Sequence, residues 1–189
     1  MTFVLKAHED GVTHINVYSG SSTWLGKALS NFYRAWVSTE DGTFQSIEAY
    51  WYFLKAKAIL RCAVEQGFVP TFDIGVDIDS LRSYWGFEAK RMGRAVLARL
   101  PRIEGVDFEG AEFRAKILGA VHSKIGQVPN LRDAFIASDP LPLLHYYTYG
   151  NDNRNKKIVF PKGDTWFIDG INEYRTLLVQ QEKGLGLKR

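Results

Sequence analysis

The sequence is poor in the features that mark disulfide-bonded, secreted and membrane proteins. Its 189 residues include a single cysteine, Cys62, which cannot form an internal disulfide and lies in an apolar run typical of core packing. No apolar stretch approaches the roughly 18 residues that span a membrane. The first ten residues also lack the apolar core of a secretory signal. We therefore expect a cytoplasmic protein without a membrane partner.

Metal and cofactor signatures are missing as well. The four histidines (His8, His14, His122 and His145) do not show zinc-ligand spacing with cysteines or carboxylates. The chain has neither a P-loop nor a dinucleotide-binding glycine motif. These observations predict no metal and no cofactor.

Positive charge is concentrated rather than abundant. The net charge is only +3, but basic residues form one run at Lys90, Arg91, Arg94, Arg99 and Arg102, and a second at Arg154, Lys156, Lys157 and Lys162. The second run lies in a polar segment, 150–163, that has the composition of an inserted loop. Such runs are either solvated faces or phosphate contacts, and the sequence leaves both open.

Hydrophobic periodicity predicts a helix-dominated α+β fold with a small, mainly antiparallel sheet, in one domain over residues 1–189. Strands are expected at 13–18, 143–149, 158–160 and 165–168, and a hairpin at 35–44 around Asp41-Gly42. Helices are expected at 47–66, 79–84, 86–100, 108–125, 129–137 and 171–181.

The helix after Ser46 has an unusual composition. Glu48, Trp51, Tyr52 and Lys55 share one stripe at helical spacing, and Tyr50 begins a neighbouring one. A stripe with an acid, two rings and an amine is neither an apolar core face nor a solvated one. We interpret it as the wall of a pocket, with a packed ion pair as the alternative.

The order of several segments resembles the YbiA-like (NADAR) domain family. The matching stretches are LSNFY at 29–33, DGTFQSIEAYWYFLKAKA at 41–58, AKRMGR at 89–94 and KIGQVPNLRDAFIAS at 124–138. The final third departs from the family pattern. His145 stands where the family has an acidic residue. Asp164, Thr165, Trp166, Asp169, Gly170 and Asn172 then follow, with Tyr174 where family members tend to have leucine.

The resemblance implies an enzyme that acts on N-glycosides of ribose, such as ADP-ribose linked to guanine or a riboflavin-pathway intermediate. Breaking that bond passes through an oxocarbenium-like sugar, which needs a nearby negative charge and an oriented water. The implied catalytic residues are Glu48, Lys55, Asp164 and Asp169. The implied substrate-binding residues are Asn31, Phe32, Tyr50, Trp51, Tyr52, Arg94, Trp166 and Asn172.

Two other functions remain open at this stage. A DNA glycosylase that excises a modified base would use the basic loop with Arg154, Lys156, Lys157 and Lys162, and would extrude the nucleotide into the pocket. A non-catalytic module that binds ADP-ribose or a nucleotide is the third possibility, since the family carboxylate is replaced at His145. The oligomeric state is not predicted.

Overall fold

A computed structural model describes residues 5–67, 77–108, 110–150, 156–162 and 165–186. Two short 3₁₀ helices lie at Ala7–Glu9 and Ile78–Ser83. The α-helices are α1 (Trp24–Leu29), α2 (Ile47–Glu65), α3 (Gly86–Arg99), α4 (Ala111–Gln127), α5 (Leu131–Ala137) and α6 (Trp166–Gly186). The strands are β1 (Ile15–Asn16), β2 (Val37–Thr39), β3 (Gly42–Phe44), β4 (Leu143–Leu144), β5 (Tyr147–Tyr149) and β6 (Lys157–Val159).

The α+β fold class is confirmed, with helices dominant and very short strands. The strands form three separate pairs within the described residues rather than one sheet. Two pairs, β2–β3 and β5–β6, are antiparallel, whereas β1–β4 is parallel. The chain divides into a central unit, residues 31–124, and a terminal unit made of residues 1–30 and 125–189. A single domain over 1–189 stays a prediction.

In the central unit, the predicted hairpin leads directly into α2. Gly42 has a φ of +112°, a conformation that residues with a side chain rarely adopt, and a Cβ there would lie 2.4 Å from the Arg82 guanidinium. Ser46 then caps α2, since its hydroxyl accepts a hydrogen bond from the Ala49 amide at 3.1 Å. Gly67, with a φ of +79°, follows the end of the helix. Both ends of this helix therefore agree with the sequence.

The core of the central unit forms where α2 packs against the hairpin, α3 and α4. Phe44, Ile47, Phe53, Ala89 and Ile117 are buried there. Burial of each large apolar side chain contributes about 1.5–3 kcal/mol. The stripe of α2 that carries Glu48 and Tyr52 lies beside α3.

The terminal unit is built around the parallel pair β1–β4. The amide of Asn16 extends the pairing by bonding both the backbone N and O of Tyr146, and His14 Nε2 lies 2.6 Å from the Tyr146 hydroxyl. On α6, Arg175 donates to the Leu141 carbonyl at 2.7 Å, which fastens the helix to the chain before β4. Ile171 and Leu178 supply the buried face of α6.

One predicted strand is wrong. In the predicted strand 165–168, which has strong β-propensity, Thr165 precedes α6 and residues 166–168 form its first turn. The helical repeat that buries Ile171 and Leu178 continues backward through this segment, so tertiary packing overrides local propensity. None of the helices in the described ranges has both the length and the hydropathy of a membrane-spanning segment.

Candidate active site on α2 and α3

Glu48 is the centre of a polar cluster in the central unit. It lies in the first turn of α2 and is half-buried. Burial raises the pKa of its carboxyl from 4.5 to about 7, although the positive charges of Lys90, Lys55 and Arg94 oppose that rise. Desolvation therefore affects the pKa of the Glu48 carboxyl more than the three nearby positive charges do. A carboxyl poised near neutral pH can exchange a proton with a substrate or a water molecule.

Tyr52 and Arg94 connect α2 to α3 beside this carboxyl. Arg94 donates a hydrogen bond to the Tyr52 hydroxyl, and burial together with the charge of Glu48 raises the pKa of that tyrosine. The tyrosine ring packs on Gly93, where a Cβ would lie only 2.1 Å from the ring. A glycine at this position lets α3 approach α2 closely enough for Arg94 to join the cluster. The Arg94 side chain is exposed, so its guanidinium is accessible to a ligand phosphate.

Lys55 lies one turn further along the same stripe, between two aromatic rings. Its Nζ is 5.6 Å from the centre of the Trp51 ring and 5.3 Å from that of Phe108. The Trp51 ring also packs edge-on against Phe113 of α4, at 4.9 Å between centroids. The Trp51 ring therefore packs against the core residue Phe113 and also contacts the Lys55 ammonium. The positive charge of this ammonium also acts on the Glu48 carboxyl.

The loop with Asn31 and Phe32 reaches the start of α2. The Asn31 carbonyl accepts a hydrogen bond from the Glu48 amide at 3.0 Å. The side-chain oxygen of Asn31 is buried, and no group in the described part of the chain donates to it. Lys90 lies over the Phe32 ring, 5.8 Å from its centre. The loop thus places an unpaired hydrogen-bond acceptor and an aromatic ring near Glu48.

Tyr50 belongs to the core rather than to this cluster. Only 1% of its surface is exposed, and its hydroxyl donates to Asp41 Oδ2 at 2.9 Å. Asp41 also accepts a hydrogen bond from Lys57. Burial alone would raise the pKa of the Asp41 carboxyl, but these two hydrogen bonds and the charges of Lys57 and Lys116 together lower it. Tyr50 therefore fixes the hairpin turn to α2, and the structure gives it no open face for a substrate.

The candidates on α6 belong to the terminal unit, where their visible contacts are structural. The Asn172 amide donates to the Leu143 and Ile168 carbonyls at 3.3 and 3.1 Å and accepts from Arg175. Asp169 is exposed and accepts a hydrogen bond from Thr165 at 2.6 Å near the start of the helix. Trp166 is half-buried and packs edge-on against Phe167. Asn172 is thereby occupied in joining α6 to β4.

Part of the predicted set cannot be placed. Asp164 and Arg154 lie outside the described residues. Of the basic loop, Lys156 is half-buried, whereas Lys157 on β6 and Lys162 are exposed. His145, at the position where the family has an acid, is half-buried between Tyr18 and Tyr147, and it binds the Val17 carbonyl through Nδ1 at 2.7 Å. Burial lowers the pKa of His145, so it is neutral at pH 7.

A groove of about 760 Å³ lies on a different face of α2, towards the start of α4. Leu54 and Phe113 contribute apolar surface, and the charged groups around it include Lys57, Arg61 and Lys116. Each of these three cations is ion-paired, for example Lys116 with Glu40 at 2.6 Å. Glu48 is not among the lining residues. The polar cluster around Glu48 therefore lies outside this groove.

Two notable groups were not assigned a role from the sequence. Lys90 was identified only as part of a basic run, yet its charge acts on Glu48 more strongly than that of Lys55 or Arg94. Its spacing from Arg94, four residues on one helix, places both on one face and was a usable signal. Lys124 is completely buried on α4, and burial lowers its pKa to about 7. It lies in the segment that resembles the family, but no local pattern predicted its environment.

Comparison of the chain with family models, with curated proteins and with solved structures gives no match. The resemblance to the YbiA-like family therefore stays a prediction. Within the ranges that the structure describes, histidine, cysteine and carboxylate side chains do not gather in groups of three or more that would hold a metal ion.

Proposed function

We propose that this chain is an N-glycosidase that cleaves a base–ribose C–N bond, in an ADP-ribosylated base or a ribosyl metabolite. The observation that carries the proposal is the Glu48 carboxyl, with its pKa near 7, beside three cations and two aromatic side chains. A glutamate that only stabilises the start of a helix does not require nearby cations and aromatic rings. We place the reaction in the cytoplasm, consistent with a lone half-buried cysteine.

In the proposed reaction, ionised Glu48 faces the sugar and stabilises the positive charge that develops as the C–N bond breaks. The departing base takes the bonding electron pair and a proton from solvent. Water then adds to C1′ of the sugar, and Glu48 accepts its proton. General-base catalysis of this kind contributes roughly 10²- to 10⁴-fold.

The cations and rings of the cluster have binding roles in this proposal. Arg94 and Lys90 hold the phosphates of the substrate, because both are cationic side chains on one face of α3 beside Glu48. Phe32 stacks on the base, and the Asn31 side-chain oxygen accepts a hydrogen bond from it. Lys55 orients Glu48 by electrostatic attraction.

The test is mass spectrometry of the products released from a panel of ADP-ribosylated bases, base-modified DNA and ribosyl metabolites. Glu48→Gln should lower kcat at least 100-fold with little change in KM. Because ionised Glu48 is the active form, kcat/KM should rise with pH through about 7. Glu88→Gln, at the exposed start of α3, is the matched control and should keep full activity. Full activity of Glu48→Gln would end the proposal.

Two alternatives have distinct outcomes in the same panel. Excision of a base from DNA, favoured by the exposed Lys157 and Lys162, would leave alkali-labile abasic sites in modified duplexes. A non-catalytic nucleotide-binding module would release no product with any substrate, and Glu48→Gln would bind ligand as well as the wild type does.

A further inference from the structure

Three large aromatic side chains of the central unit are exposed close to the candidate site. Phe87 is 75% exposed, Trp36 is 61% exposed and Trp85 is 36% exposed. Scattered single apolar residues are normal on protein surfaces, but these belong to two segments that touch. The Phe32 ring packs edge-on against Phe87 at 5.0 Å, and the Phe32 carbonyl oxygen lies 3.8 Å from where a Cβ on Gly86 would be.

Cations alternate with these rings. The Arg34 guanidinium stacks over Trp85 at 3.9 Å from the ring centre, and Lys90 lies over Phe32. We call this surface the aromatic–cationic strip; its members are Phe32, Arg34, Trp85, Phe87 and Lys90. A stacked guanidinium and an adjacent indole form a flat, polarisable face on which another ring can stack.

The two segments that make the strip are strongly basic. Residues 31–36 and 85–94 contain four cations (Arg34, Lys90, Arg91 and Arg94) and one acid, Glu88. That acid lies 3.7 Å from Arg91, which offsets its charge. The strip therefore attracts an anionic partner and repels a cationic one.

We propose that the aromatic–cationic strip binds single-stranded DNA. Exposed rings stack on the faces of unpaired bases, and interleaved cations follow the phosphates, which is how proteins bind single strands without reading their sequence. A duplex hides its base faces by stacking and would leave the rings unused. The strip offers rings and cations rather than a set of neutral groups that would select a ribose 2′-hydroxyl, so it gives no preference for RNA.

The strip shares Phe32 and Lys90 with the proposed substrate site, but strand binding does not require the reaction at Glu48. It is also distinct from a DNA contact through the basic loop. The strip lies in the central unit, whereas Lys157 and Lys162 belong to the terminal unit. Failure of either proposal leaves the other standing, because one is measured by binding and the other by product release.

The experiment is fluorescence anisotropy of a labelled 12-nucleotide oligothymidine with the 189-residue chain, at salt concentrations from 50 to 200 mM. Phe87→Ala should weaken binding at least fivefold, since one stacked base contributes roughly that much or more. Arg34→Ala should also reduce the slope of log affinity against log salt by about 0.7, the amount expected for one lost phosphate contact on a single strand.

Three comparisons make the result decisive. Val64→Ala, at another exposed apolar residue of the central unit, should bind as the wild type does. Glu48→Gln should retain binding while it loses turnover. A duplex of the same length should bind at least tenfold more weakly than the single strand.

The proposal is overturned if the wild type shows no binding at 100 µM protein and 50 mM salt, or if RNA binds tenfold more tightly than DNA. It is also overturned if Tyr149→Ala or Lys157→Ala, in the terminal unit, weakens binding while Phe87→Ala does not.

Discussion

Replacing Glu48 by glutamine should stabilise the fold at high pH, because the wild-type carboxyl is held in a place that disfavours its charge. The unfolded chain ionises this group near 4.5, whereas burial raises the folded pKa to about 7. Between these values the folded state binds more protons than the unfolded state, so stability falls as pH rises. Glutamine keeps the shape of the side chain and cannot ionise.

The magnitude follows from the two pKa values. Above pH 7 the full rise from 4.5 to about 7 corresponds to about 3 kcal/mol of lost stability in the wild type, while at pH 5 under 1 kcal/mol is lost. The stability difference between Glu48→Gln and the wild type should therefore grow by about 2–3 kcal/mol from pH 5 to pH 9.

Urea denaturation of both proteins, monitored by circular dichroism at several pH values between 5 and 9, measures this difference in stability. Glu88→Gln is the control, since it removes an exposed acid from the first turn of α3. It should lose about 0.3–1 kcal/mol through the helix dipole, without a growing gain at high pH. If Glu48→Gln instead loses stability at every pH, Glu48 is an ordinary helix-start acid and our reading of the cluster is wrong.

The remaining predictions concern helix packing, a helix cap and a buried hydrogen bond in the two units. Gly93→Ala should cost about 1–3 kcal/mol in urea denaturation because the new methyl group would meet an aromatic ring, whereas Gly119→Ala, in open space on α4, should stabilise by about 0.5–1 kcal/mol. A stabilising Gly93→Ala would contradict the close packing of α2 and α3. Ser46→Ala should lower the thermal midpoint through a loss of about 1 kcal/mol at the helix cap, and an unchanged midpoint would rule out that cap. Tyr146→Phe should cost about 1–3 kcal/mol, since it leaves His14 Nε2 buried without its hydroxyl partner, and a neutral result in denaturation would refute that bond.

The strongest local patterns predicted the framework of the central unit. A serine cap, a long apolar–polar repeat and a glycine end define α2, and Asp41-Gly42 defines the hairpin before it. The same logic failed at residues 165–168, where β-propensity predicted a strand in what is the start of α6. Propensity is a weak preference, and the burial of one helix face overrides it.

The sequence by itself determined which side chains share a stripe of α2, because helical spacing fixes that geometry. Only the tertiary structure decided which stripe is covered: Tyr50 is enclosed by the hairpin, while Glu48 meets Lys90 and Arg94 from α3. The acidity of Glu48 and the exposure of Phe87 also follow from tertiary structure. Desolvation and charge depend on neighbours that are distant in the chain, and periodicity carries no information about them.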